Sequence, residues 1–533
     1  MKGEISGQLV NVFTRETYPA RIEWEDGIFT SVEELGRAPE HFILPGLIDA
    51  HIHMESSFLC PSRFAELVVP RGTVATVTDP HEMANVCGLA GINYMLRDSE
   101  SIPLKCFFTA PSCVPATPYE TSGSSIGPKQ IAQLFHNPRI VALGEMMNYP
   151  AVARREGRVM AKIAVAKKYG KKIDGHAPLL TGKGLRQYVS EGVSSDHECT
   201  KLSEANEKAR LGMVIYVRES SAAKNMRELI RCKGMKCLVS DDMEPDDLLK
   251  HGHMDRLLRL AVENGVDPVD AVCMASINPS RHYQLRMDGI APGLPANFSI
   301  CDNLRFFSIR SVHIDGKWVA DNGKPLFRAR PARPVNNFRC ARKKPGEFEI
   351  HLPGKCWRVN AVGVREDQII TQKLLLTPAQ ARKANMLAVV ERYGHGRMGR
   401  AHVSGFDLKD GAFGLSVAHD SHNIIAVGSS ADSLCGVVNK ITEMKGGIAV
   451  LSRGRMSTLP LPVGGIMSDQ PAEKVARRID ELEEEVHGLG CRFRHPMGTL
   501  SFLSLLVIPE IKLSDKGLFD SQNFEFMHQC VEL

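Results

Sequence analysis

The sequence predicts an α/β chain centred on a (β/α)8 TIM barrel, flanked by a small β domain built from N-terminal and post-barrel segments and followed by a C-terminal α+β domain. Three observations lead there. Eight short β-rich runs are separated by helical stretches, period-two alternation flanks those runs on both sides, and a basic, proline-containing stretch precedes a new set of strands. At 533 residues the chain exceeds the roughly 250–300 residues at which one core stops growing, so several domains are required.

Apolar and polar residues alternate over 7–34, with Asp26-Gly27 as a hairpin signal between Arg21-Ile22-Glu23-Trp24 and Ile28-Phe29-Thr30. The pattern returns at 296–300 and 312–319, which assigns 1–42 and 290–330 to one small β-sandwich domain. Between them, 43–289 carries the eight runs, ending at His51-Ile52-His53, Thr78-Asp79, Thr109-Ala110, Gly144-Glu145, Gly175-His176, Asp196-His197, Arg218-Glu219 and Asp241-Asp242. Eight strands alternating with helices in about 250 residues is the size and count of a TIM barrel. The stretch 328–344 sets Arg328, Arg330, Arg333, Arg339, Arg342, Lys343 and Lys344 among prolines and reads as a solvated linker, with an anion or nucleic-acid patch as the less favoured alternative. From 340 to 533 an α+β domain follows. Its amphipathic helix at 472–487 places Val475, Ile479, Leu482 and Val486 three or four residues apart.

Composition excludes several classes. A hydrophobic share of 43% and a charged share of 24% are those of an ordinary globular protein. The net charge of +5 comes without aromatics interleaved among basic residues, which argues against nucleic acid as a partner. No apolar stretch approaches the roughly 20 residues of a membrane span, and Met1-Lys2-Gly3-Glu4 starts no signal-peptide core. Fourteen cysteines contain no C-x-x-C pair, and several lie in apolar runs such as Lys236-Cys237-Leu238-Val239. That usage predicts reduced thiols and a cytoplasmic location.

Active sites of TIM barrels form at the C-terminal ends of the strands, so the residues closing each run carry the information. They are His51 and His53, Glu145, His176, His197, and Asp241 with Asp242. One histidine after a strand is usually structural, but this ordered set is hard to obtain by accident. The two-residue period of a strand puts His51 and His53 on one face, where both imidazoles can hold one ion. Glu145 can bridge to a second ion completed by His176 and His197, with Asp241 joining the first. Nitrogen and oxygen donors without thiolate suit Mn(II), Fe(II) or Zn(II), and two such cations about 3.5–4 Å apart would convert a shared water to hydroxide near neutral pH. His53-Met54-Glu55 also fits the H-x-E half of another zinc deaminase signature, whose P-C-x-x-C half is missing: Cys232 and Cys237 have the wrong spacing.

The run Pro45-Gly46-Leu47-Ile48-Asp49-Ala50-His51-Ile52-His53 resembles the entrance motif of the amidohydrolase superfamily. Where many members carry a bridging lysine on the fourth strand, this chain has Glu145. With that feature the chain resembles the adenine deaminase family across nearly its whole length, through His53-Met54-Glu55-Ser56-Ser57, Thr78-Asp79-Pro80-His81-Glu82, Pro111-Ser112-Cys113, Asp174-Gly175-His176, Asp196-His197-Glu198, Ser240-Asp241-Asp242 and the C-terminal His419-Asp420-Ser421-His422-Asn423.

The resemblance implies hydrolysis of adenine to hypoxanthine and ammonia by a metal-bridged hydroxide, in purine salvage, with two divalent ions that are Mn(II) or Fe(II) by family preference and Zn(II) as a compatible third. Asp241 would act as base and then acid. A proton for the purine ring would come from Glu198 or Glu55, with plain structural support as the other role open to them. Asp242, Ser112 and Glu55 are expected to contact the purine. Asp79, His81 and Glu82 are expected to orient ligand imidazoles or hold an accessory ion. His419 and His422 either line a pocket or satisfy local hydrogen bonds, and His251 and His253 receive no role. Barrels of this type often assemble into homo-oligomers. Two rival readings are another amidohydrolase reaction (aminopurine, cyclic amide or N-acyl hydrolysis) and a non-catalytic scaffold; the complete ligand set counts against the second.

Overall fold

The computed structural model describes all residues except Met1, Ala222, 353–355, Asp367, Ile369 and Leu533. The chain divides into two compact units. One comprises Met1–His81, Met95–Cys113 and Ile126–Ala332; the other comprises Glu82–Tyr94, Val114–Ser125 and Arg333–Leu533.

In the first unit, strands β1 (Lys2–Asn11), β2 (Glu16–Glu25), β3 (Ile28–Glu34) and β4 (Phe42–Pro45) lead into β5 (Leu47–His53). Parallel strands β6 (Thr73–Thr78), β7 (Lys105–Ala110), β8 (Ile140–Met146) and β9 (Lys172–Gly175) follow. They form one sheet in the order β5-β6-β7-β8-β9. A second parallel sheet contains β10 (Ser195–Asp196), β11 (Val214–Arg218) and β12 (Lys236–Val239). The Ser194 amide donates to the Ile173 carbonyl at 2.9 Å, linking the two sheets, and after Ser240 the chain resumes as β13 (Asp241–Asp242) beside β5. The parallel strands therefore curl into a TIM-barrel-like arrangement. β5 and β6 are buried along their whole length, as strands covered on both faces must be.

Four further strands, β14 (Phe298–Cys301), β15 (Ile309–Ile314), β16 (Lys317–Asp321) and β17 (Lys324–Pro325), return to the N-terminal ones and complete an eight-stranded sheet in the order β17-β16-β15-β14-β4-β1-β2-β3. Trp24 anchors it: its indole N–H donates to the Gly316 carbonyl at 3.0 Å and its ring lies 5.0 Å from that of Phe298. A Cβ on Gly3 would come within 2.4 Å of the indole, so only glycine lets β1 pass there.

The second unit is built on a nine-stranded sheet in the order β19-β18-β21-β20-β23-β22-β24-β25, with the C-terminal strand Cys530–Glu532 paired to β18. Its members are β18 (Cys356–Gly363), β19 (Gln372–Leu376), β20 (Asn385–Val390), β21 (Met398–Ser404), β22 (Ala412–Leu415), β23 (Ile424–Gly428), β24 (Gly447–Ser452) and β25 (Arg455–Pro460). Helix Ala431–Met444 covers this sheet with Leu434, Val437, Val438 and Ile441, and the expected amphipathic helix spans Ala472–Gly488. The basic residues from Arg328 to Lys344 are exposed except Lys343, which is half-buried.

Among the described residues no helix is long and apolar enough to cross a membrane. Twelve described cysteines are free and mostly buried, but Cys530 is disulfide-bonded, which corrects the expectation of reduced thiols throughout.

Trp24 is the one buried tryptophan, Trp318 and Trp357 being about half exposed. Trp24→Ala should therefore cost about 3–5 kcal/mol in denaturant unfolding and remove the blue-shifted part of the tryptophan emission.

Candidate metal centre

Residues at or just beyond the ends of β5, β8, β9 and β10, with Asp241 at the start of β13, put their polar side chains at one end of the curled sheet. His51 and His53, two apart on β5, present their rings edge to face at 4.8 Å. His53 Nδ1–H donates to the Asp79 carbonyl at 3.1 Å, which turns Nε2 toward Glu145 Oε1 and Asp241 Oδ1, each 3.3 Å away. His51 Nε2 lies 3.5 Å from the same Asp241 oxygen. The other oxygen of Glu145 is 2.7 Å from His176 Nδ1 and 3.3 Å from His197 Nε2. All six side chains are buried except that of His176, which is 19% exposed.

These spacings fit cations. Two donors bound to one ion at 2.0–2.2 Å and separated by 90–110° are about 2.8–3.6 Å apart, a range that holds most of these carboxylate–imidazole pairs, which at 3.3–3.5 Å are longer than a good hydrogen bond. Triads His51–His197–Asp241, His51–His53–Glu145 and Glu145–His176–His197 each bring three ligand atoms within 4.8 Å of one another. Electrostatics point the same way. Burial opposes protonation of His53, yet Asp241 and Glu145 outweigh it and hold its pKa well above the usual imidazole value. Glu145 and Asp241 are held well below the carboxylate range, against burial, by the surrounding histidines and, for Asp241, Arg218. The cavity therefore stabilises positive charge.

Local backbone chemistry explains why these residues point here. Asp241 has φ +58°, a left-handed conformation that costs a non-glycine residue of order 1–3 kcal/mol and that aspartate tolerates better than most. This break between β12 and β13 turns its carboxylate inward. The Glu145 amide donates to Asp79 Oδ2 at 3.0 Å, and a Cβ on Gly144 would come within 2.3 Å of that oxygen. Gly144 is thus what lets Asp79 support the strand bearing Glu145. Asp49 accepts the His51 and Ser240 amides through Oδ1, at 3.3 Å each, while Oδ2 sits 3.0 Å from His253 Nε2.

The remaining predicted residues divide. His81 Nδ1 is 3.6 Å from Glu145 Oε1 and its ring packs edge-on against His53 at 4.7 Å. Asp242 accepts the Ser56 hydroxyl at 2.5 Å, and Glu55 is fully buried on the turn Met54–Ser57. Ser112 donates its hydroxyl to the Glu145 carbonyl at 2.5 Å, a contact that places the strand. Glu198 lies 3.5 Å from His197 Nε2 and 3.9 Å from His176 Nδ1. Glu82 departs from the expected support of the ligand imidazoles, because its oxygens face His419 and His422. It is the second residue of helix His81–Cys87, where successive side chains diverge by about 100°.

Two residues without a predicted role belong to the centre. Arg218, at the end of β11, bonds Glu198 through both terminal nitrogens and donates from Nη1 to Asp241 Oδ2 at 2.9 Å. Burial opposes ionisation of Glu198, but Arg218, His176 and His197 bring its pKa down to about 2. His253 is buried, its Nδ1 2.8 Å from the Thr73 hydroxyl. Arg218 was visible only as the charged end of a strand; Gly252, at φ +92°, was the sole local sign that His253 turns inward.

In metal-free protein, Arg218→Met leaves the buried Asp241 and the half-buried Glu198 without their cation and should cost about 3–5 kcal/mol. Thermal unfolding with and without Mn(II) checks this: the loss should shrink when metal is added, and an unchanged melting temperature in the metal-free variant would contradict the role.

The amidohydrolase family model matches residues 42–319, and the adenine deaminase C-terminal domain matches 364–525. Curated proteins named adenine deaminase are 44% identical in Methanosphaera stadtmanae and in Methanothermobacter thermautotrophicus, each alignment covering 98% of both chains. One from Salinibacter ruber is 41% identical with 99% of both chains covered. The chain belongs to the adenine deaminase family of the amidohydrolases.

Proposed function

We propose that this chain hydrolyses adenine to hypoxanthine and ammonia, on a closed (β/α)8 barrel holding two divalent cations. The observation that carries the reading is the sharing of Glu145 between His53 on one side and His176 and His197 on the other. His51, His53 and Asp241 would hold one ion, His176 and His197 the other, with Glu145 between them; Mn(II) or Fe(II) is preferred and Zn(II) is compatible with the donors. When bound, the cation pair supplies Lewis acidity that makes water a nucleophile near neutral pH.

The chain's own residues handle the protons and the purine. Asp241 takes the proton of the water that attacks C6 and returns it to the departing amino group, a role worth typically 10²–10⁴-fold. Its two oxygens are already distinguished, Oδ1 toward His51 and His53 and Oδ2 toward Arg218. Glu198 and Glu55 are the candidates for supplying a proton to the ring. With both Glu198 oxygens engaged by Arg218, Glu55 is the better donor and Glu198 an acceptor for a substrate N–H. Asp242, oriented by Ser56, would accept from the one ring N–H of neutral adenine. Ser112 serves the position of Glu145 in place of the purine. Burial of the cluster excludes bulk water and strengthens each of these contacts.

Ammonia release and loss of adenine absorbance, run beside a panel of other aminopurines and cyclic amides, test the assignment. Adenine should be the preferred substrate; a preferred cyclic amide would replace the reading with another amidohydrolase reaction. His51→Ala and Glu145→Ala should each lose barrel metal and activity together, turnover falling by more than about 10²-fold, and full turnover in either variant would refute the centre. Chelation should abolish activity, and Mn(II) or Fe(II) should restore it.

A further inference from the structure

The second unit contains a buried cluster that shares no residue with the centre described above. Glu82 lies between two imidazoles, with Oε1 3.0 Å from His419 Nδ1 and Oε2 3.6 Å from His422 Nε2. All three side chains are buried, and their three ligand atoms fall within 4.8 Å of one another. His419 is held in place by stacking on Phe502, centroids 4.6 Å apart and planes inclined by 7°, and its carbonyl accepts the Ser504 hydroxyl at 3.1 Å.

His422 supplies an independent observation. Its ring is wholly buried, and Nε2, aimed at Glu82, makes no hydrogen bond. A buried polar nitrogen left unsatisfied is costly and calls for a partner. From this arrangement we infer that Glu82, His419 and His422 form a further divalent cation site. Two imidazoles and one carboxylate are an established donor set for zinc with an open fourth position, and for Fe(II) or Mn(II).

The polar surroundings make the chemistry explicit. In the ion-free state His422 Nδ1 accepts the Ala418 amide at 3.2 Å, so Nε2 carries the ring proton. Loading moves that proton to Nδ1, the tautomer that metal-bound imidazoles take, at the expense of that one hydrogen bond. The carboxylate of Glu82, facing both imidazoles, is the group that makes a cation acceptable there.

Metal analysis decides the matter. The full-length protein is stripped with chelator, saturated with Zn(II), desalted, and its metal counted per chain. Three equivalents are expected for the parent, two for Glu82→Gln and for His422→Phe, and one for the His51→Ala, Glu145→Ala double variant. Two equivalents in the parent, both lost in the double variant, would overturn the inference and mean that water alone satisfies Nε2. Three equivalents retained by Glu82→Gln would overturn it as well. The parent count needs no variant to fold. Failure of the barrel centre looks different: a single equivalent that depends on Glu82 and not on His51 or Glu145.

Discussion

The centre depends on one carboxylate. Glu145 sits within 2.7–3.6 Å of His53, His81, His176 and His197, and the rest of the barrel end is arranged so that this buried anion is tolerable. Leaving a carboxylate unpaired in a dry interior costs several kcal/mol. Here the cost is offset by imidazoles from three strands and the helix after β6. The same groups that make the ion-free cavity electrostatically acceptable are hard-to-borderline metal donors, so folding and cation binding draw on a common set of contacts.

Behind those donors lies a layer of buried polar groups whose hydrogen bonds fix where they point. Asp79 supports Glu145 through its amide and His53 through its own carbonyl. Asp49 joins β5 to the break at Ser240, and His253 joins Asp49 to Thr73. On the opposite side Lys208, with no exposed surface, reaches the Ala177 carbonyl at 2.7 Å, Glu204 at 2.8 Å and Asp196 at 3.2 Å. That lysine ties the residue after His176 to the residue before His197. Such partners set ring orientation and basicity as much as the ligands do.

What the sequence made legible follows from short periods. Strand alternation put His51 and His53 on one face, and the regular return of β-rich runs put Glu145, His176, His197 and Asp241 at strand ends. Contacts made across the sheet left no such trace: nothing around Arg218 announces that its guanidinium reaches Glu198 and Asp241, residues 20 and 23 positions away. Ser112 was expected to contact the purine on family resemblance alone, and its hydroxyl donates to the neighbouring strand's carbonyl. Glu82 was expected to orient ligand imidazoles or to hold an accessory ion, and the helical turn after His81 sends it away from the ligands to His419 and His422. The disulfide at Cys530 was likewise invisible to spacing, since pairing depends on strands brought together by the fold.

The central claim is that these convergent side chains share two cations through Glu145. Anomalous diffraction at the manganese edge, from crystals grown with Mn(II), tests it most directly. Two peaks about 3.5–4 Å apart are expected, one beside His51, His53 and Asp241 and the other beside His176 and His197, with one Glu145 oxygen toward each. A single peak, or none among these side chains, would contradict it.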